Sequence, residues 1–395
     1  MKEPVRKNYA GTRTTACEGH MVHFLRKKII LLCALLLGVP SMMDAQKKID
    51  IKLGGRVFMD GGLFFDSEKP NSNKVGLTDV RLSAKVRWQQ DWYLKVDIGF
   101  AHKKISFKDV FLQKRWNNHY LRLGHMLGMC SMEQSISTND YVFLSAADAA
   151  ETFYTGRHIG ASYTYAAPHF TGAFALFAGD ELNSEEKEDM GYNTSLRGVY
   201  RPVYETNRLL HLGAGFLYRR PDREKAETGR SVSLGSVGST FLSVPFLIEK
   251  RLPNVDDWLQ CSIETLFQSS KVFCQGEYYC VMAKHASENM HCYQGAYIQG
   301  GFLLKGWGFG YDAVDALPLT PLQSNSWLLA GRFNWIDLSE KDSQPNRQYD
   351  FTLGINYYAS DHLIFKLNGT MLWTSSPQFS HRRTTVVQGR VQVRF

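Results

Sequence analysis

The stretch Thr385-Val-Val-Gln-Gly-Arg-Val-Gln-Val-Arg-Phe395 alternates apolar and polar side chains. Val387, Gly389, Val391, Val393 and Phe395 point one way; Gln388, Arg390, Gln392 and Arg394 point the other. A period of two with grease on one face and charge on the other is a strand lying between two unlike environments. In a water-soluble sheet the apolar face would meet a core. In a membrane barrel it meets lipid, and the charged face lines a water-filled lumen.

Working outward, the same pattern recurs from about Asp50 onward. Val80, Leu82, Ala84, Val86 and Trp88 alternate with Arg81, Ser83, Lys85 and Arg87; Trp92, Leu94, Val96 and Ile98 alternate with Tyr93, Lys95 and Asp97. Only Gln89-Gln-Asp91 separates these two runs, which predicts a hairpin. Tyr349 to Tyr358 and Leu363 to Thr370 repeat the alternation near the other end. Short connections at 89–91, 117–118, 166–169, 202–207, 268–271 and 359–361 interleave with long polar ones at 67–76, 126–156, 179–193, 220–256, 284–291, 338–347 and 374–384. That is the short-turn, long-loop rhythm of an outer-membrane barrel. Aromatic residues flank the short turns (Trp88 with Trp92, Trp116 with Tyr120, Tyr357 with Tyr358), the height at which rings suit a membrane interface. The fold class expected is therefore all-β, a transmembrane antiparallel β-barrel of about sixteen strands, with fourteen or eighteen as the neighbouring even counts. This count places Phe241 to Ile248 in a loop. Residues 105–115 break the alternation, as a bulge would. The connection 305–325 is long where a short turn belongs, and its Gly306-Trp-Gly-Phe-Gly310 reads as a flexible turn. A barrel of this size is expected to enclose an aqueous channel rather than a packed interior.

Residues 1–45 read as material outside the barrel. Met21-Val-His-Phe-Leu-Arg-Lys-Lys28 is a basic start, Ile29 to Val39 is an apolar run, and small residues lead to Ala45. This predicts a secretory signal peptide starting at Met21 and cleaved after Ala45, with residues 46–395 as the barrel. Removing residues 1–45 leaves 39 Lys and Arg against 35 Asp and Glu, a net charge of +4. So mild a balance gives no support to nucleic-acid binding. Five cysteines remain, an odd number that argues against a complete disulfide framework. Cys280 and Cys292 flank a loop and either bridge or serve as small apolar wall residues. Neither Cys-x-x-Cys nor His-x-x-x-His spacing occurs to suggest a metal site, and no cofactor is expected.

A run ending on an aromatic-terminated strand resembles bacterial outer-membrane barrels. Several segments together, in order along the chain, resemble the phosphate-selective porin O and P family: Gly54–Asp60, Leu77–Arg87, Trp92–Asp97, Phe107–Phe111, Ser131–Thr138, Thr155–Gly160, Ser195–Tyr200 and Asp350–Tyr358. The resemblance implies a trimeric, sixteen-stranded channel in the bacterial outer membrane, bedded in lipid and lipopolysaccharide. It implies passage of small inorganic anions such as phosphate. It further implies that the loop after the fifth strand, about 126–155, folds inward and sets the constriction. Where the family commonly carries a Lys-Glu-Pro-Phe-like segment, this chain has Met126-Leu-Gly-Met-Cys130. The loop holds no Lys or Arg, while Glu133, Asp140, Asp148 and Glu151 give it four carboxylates.

The candidate site residues follow from parity. Arg81, Lys85, Arg87, Lys95, Arg122, Arg197, Arg201, Lys366, Arg390 and Arg394 fall on the lumen side and form either an anion-guiding ladder or ordinary lumen charge paired with neighbours such as Asp97, Asp109 and Asp350. Glu133, Asp140, Asp148 and Glu151 are the constriction candidates, and a ring of acid there would favour cations. An esterase-type barrel needs an outward Ser with His and an orienting acid; His125 has no serine at matching spacing, so no catalytic residue is expected. An occluded barrel that serves as a binding surface, with the acidic stretch 179–189 as a contact, is the third reading.

Overall fold

The computed structural model describes residues 49–395 apart from 102–103, 179–188, 224–228, 243, 285–289 and 342. The leader expected at 1–45 and the acidic stretch 179–188 lie outside the described residues. The strands are β1 (Ile49–Asp66), β2 (Ser72–Trp88), β3 (Trp92–Gly99), β4 (Ser106–Trp116), β5 (His119–Leu127), β6 (Arg157–Ala167), β7 (Phe170–Phe177), β8 (Tyr192–Glu205), β9 (Arg208–Arg220), β10 (Val232–Ser236), β11 (Ile248–Leu252), β12 (Asp257–Ser269), β13 (Val272–Lys284), β14 (Met290–Lys305), β15 (Phe309–Asp312), β16 (Leu317–Pro321), β17 (Ser326–Asp337), β18 (Arg347–Tyr358), β19 (Leu363–Ser375) and β20 (Arg382–Arg394). Two short helices, α1 (Met132–Ser135) and α2 (Asp148–Thr152), sit between β5 and β6.

Sixteen of these strands close into one antiparallel barrel, in chain order, with β10–β11 and β15–β16 as separate hairpins. Closure joins β20 to β1 with Asp60 opposite Arg390 and Gly61 opposite Gly389. The Phe395 backbone exchanges both hydrogen bonds with Gly55, at 2.9 and 3.0 Å. A closed ladder leaves no unpaired edge, which a lipid environment demands because it offers no water to satisfy backbone groups.

The wall inverts the usual burial rule. On β17 to β19 the outward residues Leu329, Phe333, Leu353 and Leu367 are 43–54% exposed, while the inward Gln348, Asp350, Thr352 and Asn368 are at most 1% exposed. Alternation along each strand thus separates a lipid-facing surface from a polar interior. The expected bulge falls between β3 and β4, where the register shifts between Val96 and Ile98. It turns two successive residues, Lys108 and Asp109, toward the same internal cavity. The Nδ1–H of His125 donates to the Lys108 carbonyl there at 2.6 Å.

Three expectations need correction. The first loop is short, because β1 runs to Asp66 and β2 begins at Ser72. The 305–325 connection is an ordered hairpin, not a flexible turn: Gly306 and Gly308 take positive φ (95° and 77°) to lead into β15. The interior is only partly open, since the β5–β6 and β9–β12 connections pack an apolar cluster inside it. Ala147, Ala149, Ala150 and Phe153 meet Leu234, Ile248, Leu252 and Val255 against wall residues Leu217, Tyr279 and Tyr293, all nearly inaccessible. The Phe241 to Ile248 run does belong to a loop, up to the first residue of β11, with Leu242 buried on Phe64, Leu372 and Val386.

The pair at the seam is a test of this arrangement. Arg390 donates to Asp60 through Nε and Nη2 at 2.7 Å each, and Thr78 Oγ1 donates to the same carboxylate at 2.7 Å. Asp60→Ala would leave a buried guanidinium without its partner, at a cost of roughly 3–5 kcal/mol. The urea midpoint of the lipid-reconstituted barrel should fall accordingly; an unchanged midpoint would contradict the pairing's importance.

Candidate functional site

The geometry of the interior is set by one anchor. Glu264 on β12 and Glu277 on β13 stand directly opposite each other. Like charges so placed repel unless something neutralises them. Here the connection between β5 and β6 does so. Met132 N–H donates to Glu264 Oε2 at 2.8 Å, and Glu133 N–H donates to Glu277 Oε1 at 2.6 Å. Ser131 Oγ donates to Glu277 Oε2 at 2.7 Å and Tyr297 hydroxyl to Oε1 at 2.8 Å. Behind them Arg197 Nη2 meets Glu264 Oε1 at 2.7 Å, and His211 Nε2 lies 2.9 Å from the same oxygen. The first free backbone N–H groups of α1 thus find carboxylate acceptors on the wall. Gly215 completes the fit: a Cβ there would come within 1.7 Å of the Cys130 carbonyl, so only glycine lets the connection lie this close to β9.

Against the opposite wall, β1 to β6, a cavity of about 770 Å³ remains, lined also by the connection and by the β15–β16 hairpin. Nine Lys and Arg border it (Lys52, Arg56, Arg81, Lys85, Lys95, Lys108, Arg122, Arg157 and Arg394) against seven carboxylates (Asp97, Asp109, Asp140, Glu151, Asp312, Asp315 and Asp361), an excess of two positive charges. Most of these charges are paired. Lys95 and Arg157 share Asp109 at 2.5 and 2.8 Å. Arg56 and Arg81 share Asp79 at 2.8 and 2.7 Å, and Arg122 meets Asp315 at 2.9 Å. Among the described residues, no carboxylate lies in ion-pair contact with Lys52, Lys85 or Lys108.

Of the cations expected at the lumen, Arg81, Lys85, Lys95, Arg122 and Arg394 border this cavity. Arg197, Arg201, Lys366 and Arg390 are buried elsewhere in the wall. Arg197 donates to the Asp315 and Ala316 carbonyls, and Arg201 to the Tyr311 hydroxyl, so both hold the β15–β16 hairpin. Lys366 Nζ donates to the Tyr141 carbonyl of the inward connection. Arg87 lies outside the cavity with its guanidinium over the Tyr93 ring. The four expected acids divide equally. Glu133 is buried and ties α1 to α2 by accepting from Ala147 N–H at 3.0 Å. Asp148, also buried, accepts from Ser239 N–H at 2.7 Å and Gln348 at 2.6 Å. Asp140 and Glu151 border the cavity.

Residues that sequence reading missed have identifiable signals. Lys108 was hidden by the bulge, which breaks parity at that point, whereas Asp109, expected as a partner of the lumen cations, does pair with Lys95. Arg157 opens β6, and Asp312 and Asp315 sit in the hairpin first taken for a loose turn. Glu264 and Glu277 do follow the inward parity of β12 and β13, but only the register shows them side by side.

A profile of the family described as "Phosphate-selective porin O and P" matches residues 51–395. The chain belongs to the phosphate-selective porin O and P family. Solved porin structures share its fold at low identity. The anion-selective porin from Comamonas acidovorans superposes with a TM-score of 0.60 at 11% identity, over 88% of this chain and 100% of that one. OmpT of Vibrio cholerae, in a trimer form, gives 0.57 at 9% identity over 88% and 99%. The outer-membrane channel DcaP of Acinetobacter baumannii gives 0.56 at 11% over 88% and 97%. Compared by sequence, no curated protein matches this porin.

Two outcomes follow from the site. Glu277→Gln would place an amide N–H₂ against the donors of Ser131, Met132 and Glu133, and losing such charge-assisted bonds costs about 1–3 kcal/mol. Single-channel records should then show larger or noisier current while the barrel stays folded; unaltered conductance would argue against the anchor. The second outcome concerns Glu151, whose carboxyl faces the confined cavity. Loss of surrounding bulk water, then the nearby Asp148 and Glu133 charges, push its pKa up to about 7. Below that pH it is neutral and the cavity becomes more positive, so anion preference should rise as pH falls through 7. One charge at about 8 Å across water is worth about 0.5 kcal/mol, or about twofold in the permeability ratio. Reversal potentials measured from pH 5 to 9 should show this step in the native porin and lose it in Glu151→Gln.

Proposed function

We propose that this porin is a passive, trimeric outer-membrane channel for small hydrophilic anions, with phosphate or another oxyanion as the solute its family implies. One observation carries this reading. The positive excess of the cavity resides in Lys52, Lys85 and Lys108, which have no carboxylate in ion-pair contact among the described residues, and Lys85 stands directly across from Lys95 on the neighbouring strand. Like charges in that register destabilise a sheet; Asp109 offsets Lys95, and Lys85 is left to draw negative charge from a solute. Exposed lysines also lower the electrostatic barrier to anions over a Debye length of about 8 Å at physiological salt. Permeation of this kind needs no bond making; radius and charge at the narrowing decide it.

The resemblance to the Comamonas anion-selective porin agrees with this reading, and the Vibrio trimer with the proposed assembly. A general or differently selective porin is the second reading, favoured by the acids Asp140 and Glu151 on the cavity. An occluded barrel acting as a surface protein is the third.

The chain from Gln46, refolded into a planar bilayer under a salt gradient, separates them. Anion preference with block of chloride current by added phosphate is the expected result. Lys85→Glu should lower the anion-to-cation ratio about fivefold, the effect of two charge units worth roughly 1 kcal/mol across water. Cation preference in the unmodified porin would overturn anion guidance, and absence of current would leave the occluded barrel.

A further inference from the structure

We propose that Cys280 and Cys292 join as a disulfide in the assembled protein, a covalent staple across the β13–β14 hairpin on its lipid-facing side. Their sulfur atoms lie 3.2 Å apart in the reduced protein. The register pairs Met282 with Cys292 and Cys280 with Gln294, so the two cysteines are diagonal neighbours on the same face. That face is the outer one, because the flanking Tyr279, Val281 and Tyr293 are buried inside the barrel. Closing the gap to an S–S bond of about 2.05 Å requires roughly 1 Å of relative movement of the two sulfurs.

A third thiol competes. Cys261 stands directly opposite Cys280 on β12. The close sulfur contact with Cys292 decides between them. Cys130 is buried in the inward connection, and Cys274 lies at the other end of β13.

The chemistry is thiol–disulfide exchange. A thiolate from one cysteine attacks an incoming disulfide donor, protein or small molecule, and expels one of its sulfurs as a thiol. The second cysteine then attacks the mixed disulfide, releasing the donor's other sulfur; the donor gains two electrons and two protons, and the two cysteines lose them. Such donors operate outside the cytoplasm. The inference therefore rests on the outer-membrane location, though not on the solute.

Membranes harvested into denaturant with iodoacetamide test it by mass spectrometry. The expected result is alkylation of Cys130, Cys261 and Cys274 only, with a linked Cys280–Cys292 peptide. Prior reduction should add Cys280 and Cys292 to the alkylated set. Cys280→Ser should free Cys292 for alkylation without reductant, and Cys261→Ser should leave the cross-link in place; heat-modifiable electrophoresis confirms that each variant has folded. Full alkylation without reductant, or a Cys261–Cys280 link, would overturn the assignment. Refolding the purified chain in a glutathione redox buffer separates geometry from compartment: a link formed there but missing in cells would overturn the location, and a link missing in both would overturn the staple.

Discussion

Two carboxylates facing each other across adjacent strands are an unstable arrangement in a confined interior, and the whole inner architecture resolves that instability. Glu264 and Glu277 become tolerable because backbone N–H groups, a hydroxyl, a phenol and Arg197 converge on them. The segment that supplies the N–H groups is thereby drawn across the barrel and held to one side of it. Arg197 in turn bonds the carbonyls of the β15–β16 hairpin from the opposite end. One charge pair on the wall thus links both intrusions that shape the open space.

The outer half of this molecule was legible in the sequence because lipid imposes a simple rule. Every strand had to alternate, every edge had to close, and the terminal stretch Thr385–Phe395 showed both faces plainly. Sixteen strands in chain order followed from counting alternating runs and the turns between them. Even the irregularity at 105–115 announced itself through its broken alternation, and the bulge lies at Lys108 and Asp109, just ahead of the regularly paired Val110 to Leu112.

The inner half was less legible, for a reason that is also physical. Parity tells which residues turn inward but not which inward residues meet. Arg197, Arg390 and Lys366 carry the right parity for a charged ladder, yet each is enclosed by a partner: Glu264, Asp60 and the Tyr141 carbonyl. Glu133 and Asp148 looked like constriction acids because they sit on a loop, but their neighbours turned them into internal ties. Conversely Lys108 belonged to no alternating run and still reached the cavity. Hairpin 306–321 was misread because glycine signals a turn equally well whether the turn hangs free or docks.

Crowding loops onto one side has a consequence for how such a channel can diversify. The open cavity is bordered mainly by β1 to β6, with the intrusions, the β18–β19 turn and the end of β20 completing it, while much of the interior of β12 to β17 lies under an apolar plug. Substitutions at the lysines without a close carboxylate, Lys52, Lys85 and Lys108, retune what passes with little risk to assembly; those in the plug or at the ion pairs threaten assembly. The barrel is one continuous sheet, yet its two sides are free to drift under separate selection. A lineage can therefore exchange its cargo through a few cavity lysines and keep the remainder as a fixed chassis.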